Sequence, residues 1–91
     1  MSEVEHCQYA FNQANVNHLW ELFRIYEEEG TQCLKQALIL PSYEFALKLS
    51  HIFNLLDARG ALSVAQRTDL ITRIRTIARE SARLYLEREN G

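Results

Sequence analysis

Apolar side chains recur every three or four residues along almost the whole chain, and few residues interrupt them. Three glycines and one proline punctuate 91 residues. That beat is the period of an amphipathic α-helix, and so few breakers leave room for only a few long elements rather than many short strands. In the first stretch Val16, Leu19, Trp20, Phe23, Tyr26, Gly30, Cys33, Leu34, Ala37 and Leu38 fall in one arc. The arc follows from the ~100° turn per residue. Asn12 or Asn15 can cap its start. Gly30 leaves two readings open: a close helix crossing, or a break into two shorter helices, since a mid-helix glycine costs about 1 kcal/mol against alanine.

The second stretch is bounded by Pro41, suited to a first helical turn. It closes at the run DARG, where Gly60 can take the left-handed position after a helix end. Phe45, Ala46, Leu49, Ile52, Phe53 and Leu56 form its stripe, while Tyr43, Leu47 and Leu55 point elsewhere. Its outer polar positions are few: Glu44, Lys48, His51 and Asn54. A helix apolar on more than one side must be covered on more than one side. Either residues 1–11 pack there, or a partner does, at Tyr43, Leu47 and Leu55.

The third stretch opens with Ser63-Val64-Ala65-Gln66, a capping box that satisfies orphan N–H groups at a helix start. Its core stripe is Leu70, Ile71, Ile74, Ile77, Ala78, Ser81, Ala82 and Tyr85. Asp69 and Arg73 have the stabilising i, i+4 order. Arg75, Arg79 and Arg83 make a row along one edge, either a solvated margin or a contact for phosphates or acidic protein surface. Asn54, Asp57 and Arg59 gather at the end of the second helix, as a capping network or as a docking corner.

The expected architecture is all-α: a three-to-four-helix bundle, packed orthogonally or up-down, in one helical domain over residues 1–91. A leader occupies 1–12, and helices occupy 13–38, 41–59 and 63–89, the first either continuous or broken near residue 30. The formal net charge of -2 argues against a general nucleic-acid or membrane binder. No apolar run reaches the length of about 18 residues needed to span a membrane. The N-terminal MSEVEH has acids where a secretion signal needs cations, so the expected location is cytoplasmic and Cys7 and Cys33 are expected as free thiols.

Chemistry-bearing motifs are scarce. There is no glycine-rich phosphate loop, no C-x-x-C and no H-E-x-x-H. His6, His18 and His51 with Cys7 and Cys33 show no metal-ligand spacing, so no metal is expected. Glu27, Glu28 and Glu29 diverge around a helix, so no more than one can face the core. Ser50 and His51 are neighbours that do not face each other. No catalytic residue is expected in this chain.

Residues 40–89 carry a resemblance. Leu40, Pro41, Tyr43, Leu47, Lys48, His51, the run Phe53 to Gly60 (FNLLDARG), Ser63, Val64, Arg67, Ile71, Arg73, Ile74 and Arg75 resemble the C-terminal helical domain of the bacterial glycyl-tRNA synthetase alpha subunit. The earlier run SEVEHCQYAFNQANVNHLWELFRIYEEE is similar to the segment before it in that family. Departures fall at Tyr9-Ala10-Phe11-Asn12, at Ala65-Gln66 and at Leu70, where the family carries other residues. The resemblance implies a cytoplasmic enzyme of two alpha and two beta subunits that charges tRNA with glycine. ATP and glycine are bound by a class II catalytic domain preceding this region, so no cofactor is expected here. Implied partners are the synthetase beta subunit, the alpha-subunit catalytic domain and tRNA-Gly. A stand-alone interaction module derived from that domain is the alternative expectation, and a small bundle enzyme is a third that no motif supports.

Overall fold

The computed structural model describes residues 2–91. Four α-helices follow one another: α1 (Ser2–Gln8), α2 (Val16–Lys35), α3 (Ile39–Ala58) and α4 (Val64–Asn90). α1 runs on into a π-helical turn, Tyr9–Gln13. There is no strand among the described residues. The bundle is all-α, and it is elongated, measuring 48 × 32 × 18 Å.

Local chemistry sets each boundary. The Asn15 side chain accepts from the His18 N–H and starts α2. At Ser63 both halves of the capping box form, Ser63 Oγ accepting from the Gln66 N–H and Gln66 Oε1 from the Ser63 N–H. Gly60 takes φ +67° after α3. Its N–H donates to the Asp57 carbonyl, and the Ala61 N–H donates to the Leu56 carbonyl, the paired 5→2 and 6→1 bonds of a Schellman ending.

The end of α2 differs from the sequence expectation. Ala37 and Leu38 were placed on the helical arc, but α2 stops at Lys35. The same Schellman bonds close it, Ala37 N–H to the Leu34 carbonyl and Leu38 N–H to the Cys33 carbonyl. Here an alanine, at φ 56°, holds the left-handed position usually given to glycine. Both Ala37 and Leu38 are exposed. The leader is helical over residues 2–13, and supplies the fourth helix of the expected three-to-four-helix bundle.

α2 and α3 are antiparallel, as are α3 and α4. The core is Leu19 and Phe23 of α2, Ala46, Leu49, Ile52, Leu55 and Leu56 of α3, and Leu70 and Ile77 of α4, with Ala14 at the leader's end. Gly30 lies mid-helix in an unbroken α2. A Cβ there would sit 3.2 Å from Phe45 Cβ and 3.3 Å from Ile77 Cδ1, so all three helices converge on this point. Close crossing, not a break, is what the glycine serves.

Two ion pairs tie the helices together across this core. Arg73 on α4 donates through Nε to Glu27 Oε2 on α2 at 2.9 Å and through Nη2 to Glu27 Oε1, and also reaches Asp69. Its guanidinium stacks over the Phe23 ring. Arg67 at the start of α4 clasps Asp57 at the end of α3 at 2.7 Å.

Candidate functional site

α4 has 27 residues, whereas α2 and α3 have 20 each. At 1.5 Å per residue the surplus is about 10 Å of helix. It falls at the C-terminal end. Ala82 and Tyr85, expected in the core, are exposed. Antiparallel packing sets this overhang beside the start of α3. Between them lies an apolar groove of roughly 330 Å³, walled by Ile39, Leu40 and Tyr43 of α3 and by Ala82, Tyr85 and Leu86 of α4, over Ser81. Leu40 is 67% and Leu86 58% exposed, values far outside those of core leucines.

Of the expected interface residues, Tyr43 and Leu47 are about half exposed, at 48% and 54%. With Leu40 they stand at i, i+3 and i+7, one uncovered face of α3. His51 and Asn54 are exposed on the same helix. Leu55 is a correction. It is 8% exposed and belongs to the core, against which Ala10 of the leader packs.

Asp57 and Arg59 are also committed within the chain. Asp57 takes Arg67. Arg59 does not turn back to the last carbonyls of its own helix. Nε donates to the Ala14 carbonyl at 2.9 Å and Nη1 to the Phe11 carbonyl at 2.8 Å, so Arg59 satisfies orphan carbonyls at the leader's end. The DARG corner is a brace between α3, α4 and the leader.

The arginine row divides in the same way. Arg83 donates to Glu80 at 2.8 Å and to Glu87 at 2.8 Å, which raises its pKa and holds the Glu80 carboxyl below the usual carboxylate range. Arg24, Arg59, Arg67, Arg73 and Arg88 likewise meet carboxylates or carbonyls. Arg75 and Arg79 are exposed, and among the described residues neither meets an acid. Two adjacent cations without counter-charge stand one turn apart on the outer face of α4.

Leu40, Ala82 and Leu86 went unremarked as surface residues in the sequence. The available signal was position: Leu86 falls seven residues after Arg79, on the polar face. Among the described residues, no group of three His, Cys, Asp or Glu side chains converges to hold a metal. No helix is long and apolar enough to cross a membrane among those residues.

The family model described as glycyl-tRNA synthetase alpha subunit matches residues 1–90. The chain belongs to that family. Membership connects these helices to glycyl-tRNA synthetase, an enzyme whose alpha subunit works in association with other subunits.

Proposed function

We propose that these residues form a non-catalytic helical accessory domain of the glycyl-tRNA synthetase alpha subunit. The domain supports assembly of alpha with beta subunits, and through it aminoacylation of tRNA-Gly in the cytoplasm. On this reading the catalytic domain of the alpha subunit and the beta subunit are its protein partners. ATP and glycine are handled elsewhere in the enzyme, and this chain holds no cofactor or metal.

One observation carries the reading. Leu40, Tyr43 and Leu47 stand uncovered in a line on a helix whose opposite side carries the buried Leu49, Ile52 and Leu56. Contiguous apolar surface of this kind marks an interaction site. Arg75 and Arg79 supply an anion-seeking margin beside it, for acidic protein groups or the tRNA backbone.

Titration of the folded chain with the synthetase beta subunit tests this directly. Saturable binding that Leu47→Glu weakens at least tenfold is expected, with the circular dichroism of the variant unchanged. A folded chain that binds no beta subunit would remove the assembly role.

A further inference from the structure

We propose that the outer face of α4 and the α3–α4 groove form one continuous receptor strip for a partner α-helix that is acidic at one end and apolar at the other. The inference rests on the docking role above and specifies the chemistry of what docks.

Arg75, Arg79, Ala82 and Leu86 stand at i, i+4, i+7 and i+11. At ~100° per residue they lie within about 60° of one another, on one side of α4. At 1.5 Å per residue the strip is about 16 Å long. Its first half is cationic and its second half is apolar, deepened by Leu40 and Tyr43 across the groove.

The cationic half carries no acid of its own. Thr72 and Thr76 flank the arginines, and their hydroxyls donate to the Thr68 and Thr72 carbonyls one turn earlier. Arginines at i, i+4 repel one another, and here that repulsion goes unrelieved although other arginines of the chain are paired with acids. Carboxylates one turn apart on a facing helix would relieve it through charge-assisted hydrogen bonds. Leucine or phenylalanine side chains one and two turns further along that helix would then meet the groove.

Charge complementarity selects a helix over RNA. A nucleic-acid backbone would lay further phosphates along Ala82, Leu86 and Leu40, which offer them no cation. A helix that changes from acidic to apolar matches both halves.

The probe is a synthetic lactam-stapled helical peptide with Glu at positions 3 and 7 and Leu at positions 10 and 14, titrated into the 91-residue chain. A Gln-for-Glu version and an RNA hairpin are run alongside, and the chain is followed by NMR. The Glu peptide should shift the amides of Arg75, Arg79, Ala82 and Leu86. The Arg75→Gln/Arg79→Gln pair should weaken it at least tenfold and abolish its advantage over the Gln peptide. Leu86→Ser should weaken both peptides. Equal binding of the two peptides, no binding of either, or the RNA hairpin shifting those amides instead would overturn the strip. The beta-subunit titration separates the two readings. Binding that Leu47→Glu destroys and the arginine pair leaves unchanged keeps the docking role and overturns the strip.

Discussion

The hydroxyl oxygens of Ser42 on α3 and Ser81 on α4 lie 2.9 Å apart, with both residues almost wholly buried. Each also approaches a carbonyl of its own helix, Ile39 for Ser42 and Ile77 for Ser81, both at 2.8 Å. Two protons serve three contacts. At any moment one contact lacks a donor, so the pair has a built-in spare. Ser42→Ala or Ser81→Ala alone should each cost about 1 kcal/mol, since the survivor can still donate to its own helix. The double variant should cost less than the sum, because the shared bond is lost only once. Urea denaturation of the three variants measures this, and strict additivity would refute the shared bond. Ser42→Leu should cost far more, as the helices meet too closely there to admit it.

Ala37 and Gly60 end two helices in the same way with different residues. Ala37→Gly should stabilise the chain by roughly 0.5–1 kcal/mol, the relief of the left-handed conformation less the extra freedom of an unfolded glycine. Gly60→Ala should destabilise it by a comparable amount, with no neighbour in the way of the new Cβ. Thermal unfolding followed by circular dichroism gives both signs in one experiment.

Arg59 holds the leader from a distance of 45 residues along the chain. Arg59→Gln should loosen residues 2–14 without unfolding α2–α4. Bonds to a charged donor contribute about 1.5–3 kcal/mol. Amide exchange in the leader's last turn should therefore quicken by about 10- to 100-fold while Leu49 and Leu56 remain protected. Uniform quickening across the chain would show that the brace supports the whole bundle.

The Glu80–Arg83 pair sets a pH dependence on the exposed side of α4. Arg83 holds the Glu80 carboxyl below its ordinary value, so the pair's contribution is present above the unfolded carboxylate pKa of about 4.3. It is lost as pH falls through the lower folded value. Arg83→Gln should move the Glu80 titration upward, read by carboxyl carbon shifts, and an unmoved titration would contradict the pairing.

The helices were legible because they announce themselves locally. The capping box at Ser63, the cap at Asn15 and the glycine ending at Gly60 are short-range bonds written into adjacent residues. Ala37 was not legible, because nothing local marks an alanine forced into a glycine's conformation. Leu55 and Leu47 look alike in sequence, yet the leader reaches one and not the other. Asp57 and Arg59 read as a local capping network or a docking corner, because their partners, Arg67 and the Phe11 and Ala14 carbonyls, lie on other elements. Leu86 lies off the core stripe of α4, and its place across the groove from Leu40 depends on how α3 and α4 pack. Long-range packing decides each of these, and hydrophobic period carries no record of it.

Hydrogen exchange of the chain with and without the remaining synthetase subunits tests the docking account most directly. Protection is expected over Leu40–Leu47 and Arg75–Leu86, with the outer face of α2 around Glu21 and Arg24 unchanged. Protection confined to α2, or none at all under conditions where the enzyme assembles, would contradict it.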